Sequence, residues 1–563
     1  MIKQLAKWDS QWGIYHMLVA QICLMAAVVA LSLLALTQRD IALVFCGVLF
    51  FLIALAFPRL GLTFLIMITP IQGLWGLSRA DMPLLLGTLM AAVNLRHAPL
   101  WLTLLHSRTW KRLPTLLLVL AAFVVLFIVW SLFTLSTLPP QQTDSTLMAC
   151  AFVIFLFGAA LAIFHHCLTE NGNSMRLGLI SAVSLALMLT ISFDVISVYF
   201  PKLSNFLQLL PEWPGLRLSG LHSNPNATAK YFLAGLAIAL AVCWQLFGCN
   251  GTIHPPRSKN RFAKLLAASA IAIIFAIVIS ATSSKGSLIA AVLAPMAAAI
   301  AFWSSSKRAS LIAIASAMVI AIVTMSYTLV LATDIGPWIY EQYRQAEHMP
   351  KPVSPEKPSP NVLERMKQQL RLSRSHEMIV VTPSKDKPQK HSQIYRNIDG
   401  DIKYKNQECK SLICTGQRNR LWSIGLDIWA DNWILGIGPT NWPDEYFQRT
   451  QFPFDSPHNV LIELGGGLGI AGLGLYGFFL VAMWRLWRTT FSKPKDNNAV
   501  VSVFAQGAVL YAIALMLTET VDPAKFFAIN PHSIWVWLFL AGTVMPRSEQ
   551  AAKFTATSTT EKQ

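Results

Sequence analysis

Apolar runs long enough to cross about 30 Å of hydrocarbon recur along most of the 563-residue chain, and no other feature constrains its fold so tightly. Inside hydrocarbon every backbone N–H and C=O must find its partner within the chain, so runs of this kind fold as helices. They stand at residues 17–37, 41–57, 60–77, 83–95, 113–136, 146–166, 177–199, 229–247, 265–282, 286–303, 309–332, 459–483, 498–518 and 530–546. The fourth is short, and reads either as re-entrant or as extending into the amphipathic stretch after it. Lys3 and Lys7 precede the first without a clear cleavage site, which marks a retained helix rather than a signal peptide. Only 13% of residues are charged and 54% are apolar. Soluble, disordered and coiled-coil proteins are thereby excluded. The expected class is an all-α polytopic membrane protein of about 12–14 transmembrane helices, fourteen being favoured.

The net charge of +17 is a topology signal. With the N-terminus inside, cytoplasmic segments hold 21 Lys and Arg against five acids, while the short outer loops and helix ends hold seven basic residues. Cytoplasmic loops carry such an excess. Both termini are therefore expected in the cytoplasm, with no nucleic-acid partner needed to explain the charge. The division expected is helices 1–11 over 1–332, a large external loop over 333–458, helices 12–14 over 459–546, and a cytoplasmic tail over 547–563. Within the loop, Met349–Asp401 is rich in Pro, Lys, Ser and Gln and reads as a flexible or irregular insertion. Two parts have helical spacing, Pro360–Ser373 and Arg418–Asn432, the second ending before a Gly436–Pro439 turn. Six of the eight cysteines lie in or beside spans as packing residues. Cys409 and Cys414, both in the external loop, either form a local disulfide or remain two thiols.

Four constellations carry chemistry. Before the eighth span stands Arg217-Leu-Ser-Gly220-Leu-His222-Ser-Asn224-Pro225-Asn226. Arg217 can grip a phosphate in a bidentate geometry that lysine cannot match, or sit as an interfacial arginine. Motif density favours the first, and a helix-cap role for Asn226. Asn226-Ala227-Thr228 also fits a glycosylation acceptor, discarded because it lies at a helix entrance beside the membrane. Ser283-Ser284-Lys285-Gly286 joins two spans on the outer face and suits an anion, or is a hairpin turn with a snorkelling lysine. Ser456-Pro457-His458-Asn459 stands where the large loop re-enters the membrane, with Glu463 and a run of glycines behind it. His458 titrates near neutrality and can take a proton from an attacking hydroxyl, or cap a helix. Gly467-Leu-Gly469-Ile-Ala-Gly472 matches G-x-G-x-x-G, but no strand precedes it, so close helix packing explains it better than a dinucleotide. Arg420 opens the external amphipathic helix, where a cation opposes the helix dipole unless an anion is near. Arg217, Lys285, Arg420 and His458 all fall on the outer side. Metal-ligand spacings, a nucleophile elbow and a P-loop are missing from the sequence.

Taken together, Gly220-x-x-x-Asn224-Pro-Asn226, the Ser-Ser-Lys-Gly turn, Arg420-Leu-Trp422 with Gly436-x-Gly438-Pro, and His458-Asn459 with Gly467 resemble the O-antigen ligase/polymerase superfamily, over roughly Arg217–Tyr476. The resemblance implies a GT-C-like glycosyltransferase of the bacterial inner membrane, with its active site facing the periplasm. It implies transfer of a glycan from undecaprenyl pyrophosphate to an acceptor hydroxyl, without metal or cofactor. The most direct expectation is an O-antigen ligase using lipid A–core. A polysaccharide polymerase acting on a growing glycan, and a protein O-oligosaccharyltransferase, share the same motifs. Carried over, Arg217 contacts the donor pyrophosphate, and His458 is the general base for direct, inverting displacement. Lys285 stands where the family commonly has arginine, keeping the charge but losing the fork. Asn224, Asn226, Asn459 and Glu463 are supporting residues, Glu463 either tuning His458 or packing locally. A transporter or flippase would instead place ionisable groups mid-membrane, where Asp194 is the main acid.

Overall fold

The computed structural model describes residues 13–35, 38–70, 81–99, 113–135, 140–168, 172–199, 225–248, 260–330, 395–396, 402–403, 416–439, 441–450, 456–492, 498–519 and 531–543. Eleven helices come first: α1 Ile14–Ala35, α2 Arg39–Ala56, α3 Pro58–Ile68, α4 Asp81–Arg96, α5 Thr115–Leu135, α6 Pro140–Leu168, α7 Gly172–Tyr199, α8 Pro225–Phe247, α9 Arg261–Ala281, α10 Lys285–Trp303 and α11 Lys307–Val330. After them come α12 Gly416–Asp431, α13 Trp442–Thr450, α14 Val460–Ser492, α15 Ala499–Glu519 and α16 Pro531–Thr543. Ten of these are long and apolar enough to cross a membrane, and four shorter apolar helices fall where the remaining runs were expected. The protein is an all-α polytopic membrane protein. Large apolar side chains such as Phe45, Leu52, Phe133 and Ile300 are exposed on its flanks, as a lipid-facing surface requires.

The chain divides into two compact units. One holds Met1–Asp334 and Arg420–Gln563; the other holds Ile335–Asn419. The described part of the smaller unit includes an antiparallel pairing of β1 (Tyr395–Arg396) with β2 (Ile402–Lys403), Tyr395 opposite Lys403. In the larger unit, glycines let helices approach closely. A Cβ at Gly235 of α8 would stand 2.7 Å from Phe275 of α9, and one at Gly507 of α15 would stand 3.2 Å from Ile238 of α8.

Two helices depart from the expected spans. The described part of the third run, 60–77, is helix to Ile68 and then turn at 69–70, and every residue of α3 is buried. Such a helix is about 16 Å long, too short to span, and is tolerated at membrane depth because protein surrounds it. Its last carbonyls are taken by neighbours: Trp535 of α16 donates to Ile66 (3.0 Å), and Tyr231 of α8 to Thr69 (3.2 Å). The second departure is α14, which breaks at Gly469.

Candidate active site

Three helices that begin at the sequence motifs run parallel. Near their C-terminal ends Trp244 of α8, Phe302 of α10 and Phe491 of α14 meet edge to face, with ring centroids 5.1–6.1 Å apart. Ser305, just past α10, donates to the Phe491 carbonyl at 3.3 Å. All three helices therefore start on the side of the bundle away from that contact, α14 running further from it than α8 and α10. Each start presents unsatisfied N–H groups and the positive end of a helix dipole.

At the α10 start, Ser284 occupies the cap position, but its side chain makes no cap bond to the helix; Oγ pairs with Ser287 Oγ at 3.1 Å. The N–H groups of this turn are thus not consumed by a serine cap. Lys285 is exposed beside them.

At the α14 start the chain makes a tight turn. Ser456 and Pro457 are buried, and the His458 N–H donates to Ser456 Oγ at 3.1 Å. Asn459 is the helix cap: its Oδ1 accepts from Leu461 (3.0 Å) and Ile462 (3.3 Å). His458 has a φ of +55° and Ser283 a φ of +53°. They are the two described non-glycine residues in left-handed conformation, a strained state that clusters at functional sites. One lies in each of two motifs singled out for chemistry.

Helices α12 and α13 press on this turn. On α12 the buried face runs Leu421, Gly425, Ile428, a helical stripe. A Cβ at Gly425 would lie 2.8 Å from Ile462, 3.0 Å from Tyr446 Oη and 3.1 Å from Pro457. Only glycine lets α12 seat against both sides of His458. Tyr446 of α13 donates to the Leu421 carbonyl at 2.8 Å. Burial, and after it the Glu463 carboxylate, pushes its phenol well above its ordinary value.

The glycine run of α14 takes in the rest of the loop. A Cβ at Gly465 would meet the Trp429 ring, and one at Gly466 would overlap Trp442. At Gly469 (φ +63°, ψ −156°) the helix opens, and the Trp433–Gly438 turn enters. Ile437 N–H donates to Gly466 O (2.7 Å), Gly438 N–H to Gly467 O (2.9 Å), and Ile470 N–H to Trp433 O (3.0 Å). Trp130 of α5 donates to the Leu435 carbonyl from the other side. Residues 469–491 alone are about 33 Å of helix, long enough to span by themselves. The packing expected of these glycines is present, but the partner is inserted backbone and tryptophan rather than a neighbouring span.

The expected residues are placed as follows. His458, Asn459 and Glu463 share one turn, with Glu463 acting on Tyr446. Lys285 and Arg420 are exposed, Arg420 on the flank of α12 next to the buried Leu421. Asn226 lies inside the first turn of α8, not at a cap, because Pro225 is already helical. Proline suits that first position, where its missing N–H costs nothing. Arg217, Asn224, Cys409 and Cys414 lie outside the described residues, as does the Pro360–Ser373 stretch. No group of three or more His, Cys, Asp or Glu side chains that could hold a metal occurs among the described residues. A further cation, Lys230, is only 3% exposed and lies one turn beyond Asn226 on α8. The sequence reading counted it for topology alone; a lysine set within an apolar span is the signal that marks it.

A broken, glycine-lined helix preceded by a histidine turn and clasped by α12 and α13 marks the candidate site of this integral membrane protein. Residues 270–477 match the family model described as O-antigen ligase, which supports the O-antigen ligase/polymerase superfamily for this chain and an enzyme of that type. The matched segment contains Lys285, Arg420, His458, Asn459 and Glu463; Arg217, Asn224 and Asn226 precede it. No curated protein matches the chain.

Proposed function

We propose that the protein transfers a glycan from undecaprenyl pyrophosphate to an acceptor hydroxyl on the periplasmic face of the inner membrane, as an O-antigen ligase acting on lipid A–core. The observation that carries this reading is the left-handed His458 turn at the start of α14, at the same end of the bundle as the Lys285 turn. His458 removes the acceptor hydroxyl proton as the oxygen attacks the anomeric carbon. The bond from that carbon to the pyrophosphate oxygen breaks, and configuration inverts. Undecaprenyl pyrophosphate leaves as an anion, so it requires positive potential rather than a proton. Arg217, Lys285, Arg420 and the helix starts supply that potential.

The decisive test uses purified protein, a lipid-pyrophosphate glycan donor and lipid A–core, with no ion gradient. His458→Asn is the informative variant, because asparagine tolerates the left-handed backbone that His458 adopts. It is expected to insert and melt like the parent and to transfer nothing. Parental transfer by His458→Asn would sink the assignment. A deletion strain separates the family activities: unattached long polymer marks a ligase, core with a single repeat a polymerase, and normal lipopolysaccharide a protein or capsule acceptor.

A further inference from the structure

The end of the bundle opposite His458 gathers positive charge of another kind. Arg59 opens α3, His97 follows α4, His165 and His166 close α6, and Arg176 stands near the start of α7. Two helices start where two others end, so all five lie at one end, the end that the loop charges assign to the cytoplasm. α5, whose last turns hold Trp130 against Leu435, reaches the far side before α6 returns from it. Arg59 is 2% exposed and Arg176 4%. Both act electrostatically on Cys167, Arg59 also acts on His166, and Arg96 acts on His97.

The permanent positive charge here is not on the imidazoles but on the guanidinium groups. His97 Nδ1 lies 2.7 Å from the Val93 carbonyl, and its Nε2 lies 3.1 Å from His166 Nε2. A carbonyl only accepts, so Nδ1 of His97 carries the proton; its bare Nε2 then accepts from His166. That leaves the positive charge on Arg59, Arg96 and Arg176. Each described carboxylate is elsewhere: Asp40 and Asp81 at the starts of α2 and α4, Asp144 in the first turns of α6, Asp194 in the last turns of α7, Glu519 at the end of α15, and Asp427, Asp431, Asp444, Glu445 and Glu463 on α12–α14. Glu170, in the α6–α7 connection outside the described residues, can offset one of three guanidinium charges.

Arg176 points to a ligand. Its Nε donates to the Gly542 carbonyl of α16 at 3.1 Å, its one hydrogen bond among the described residues. Its four Nη–H donors have no partner among the described residues, on a side chain only 4% exposed, and so remain open to an acceptor. Gly172 leaves them room, since a Cβ there would come within 3.2 Å of Nη1. His165 Nδ1 is likewise shielded with no partner. Two imidazole nitrogens lie 3.1 Å apart, but the guanidinium groups beside them repel a metal cation and attract an anion.

We propose that Arg176, with Arg59 and Arg96, binds a phosphate group at this end, carried by an anionic lipid headgroup or by free phosphate. Guanidinium forks match phosphate oxygens in bidentate geometry. The site is separate from glycan transfer and stands or falls without it. The test uses the full chain purified in detergent and in vesicles of zwitterionic lipid with or without phosphatidylglycerol. Native mass spectrometry reads retained phospholipid, and equilibrium dialysis reads inorganic phosphate. Saturable binding of one or the other is expected, with Arg176→Gln weakening it about tenfold or more. Retained phosphatidylglycerol that inorganic phosphate fails to displace identifies the headgroup; saturable phosphate uptake without lipid retention identifies the free ion. If Arg176→Gln is not monodisperse, Arg176→Lys replaces it, keeping the charge and losing the fork. Absence of both ligands from the parent, or equal binding in parent and variant, would overturn the proposal.

Discussion

Replacing Gly469 by alanine should cost more than any other single methyl group added to α14. The backbone there, at φ +63° and ψ −156°, occupies a region that is essentially glycine's alone. Forcing an L-residue into it costs about 1–3 kcal/mol. The new Cβ would also overlap the Ile434 carbonyl and come within 2.9 Å of the Leu435 carbonyl carbon, both backbone atoms that cannot rotate away. The Trp433–Gly438 turn must then back out, releasing the three backbone hydrogen bonds it makes with Gly466, Gly467 and Ile470. At about 1 kcal/mol net for each bond, the total reaches about 4 kcal/mol or more. Withdrawal of that turn frees Trp442 and α13, which brace the helix against the His458 turn. The assay pairs thermal unfolding in detergent with glycan transfer. Gly474→Ala is the control, because a Cβ there meets nothing within 4 Å. It should leave stability unchanged or raise it by about 0.5–1 kcal/mol. If Gly469→Ala melted and transferred like Gly474→Ala, the inserted turn would not be what positions this site.

Tyr446→Phe should lower stability near neutrality by about 1 kcal/mol, through loss of the bond to Leu421. Because the folded phenol is held above its unfolded value, this contribution is whole below about pH 10 and fades as pH rises further. The gap between variant and parent in chemical denaturation should therefore narrow above that pH, and a constant gap would refute the burial argument. Lys285→Arg should keep or raise transfer and Lys285→Ala should lower it about tenfold or more in kcat/KM; equal rates would remove Lys285 from the anion's reach. Lys230→Met, which matches the lysine in volume without its charge, should preserve insertion while reducing transfer. Full transfer by that variant would make Lys230 a structural residue only.

The spans were legible because their cause is local: an uninterrupted apolar run must be a helix wherever lipid surrounds it. The two departures, at Ile68 and at Gly469, have causes that no local pattern carries. α3 can stop short because Trp535, hundreds of residues away, accepts responsibility for the carbonyl of Ile66. The glycines of α14 were correctly read as room for close packing, but their occupants are Trp429, Trp442 and a turn set by Gly436 and Gly438, all in the segment that precedes the helix. A G-x-G-x-x-G spacing says that something approaches the backbone and is silent about what. His458, Lys285 and Asn459 were singled out because each sits where a loop meets a helix, a place the hydropathy itself marks. Lys230 was passed over because its burial depends on α8 facing inward, which composition cannot reveal.

The direction of the three motif helices adds something the side-chain inventory lacks. Each helix start carries about half a positive charge, localised within its first turn. The starts of α8, α10 and α14 then contribute about 1.5 charges together, comparable to one or two basic side chains. Unlike an exposed lysine, these charges require no side-chain ordering, because the Trp244–Phe302–Phe491 contact holds the far ends of the helices in register. Loosening that contact should therefore act at a distance. Phe491→Ala, buried at the opposite end from His458, removes two ring contacts and costs about 3–5 kcal/mol. If helix register supplies part of the potential that stabilises the departing pyrophosphate, this variant should lose kcat at temperatures where it remains folded, with little change in donor KM. Unchanged kcat below the melting transition would assign the potential to the cationic side chains alone.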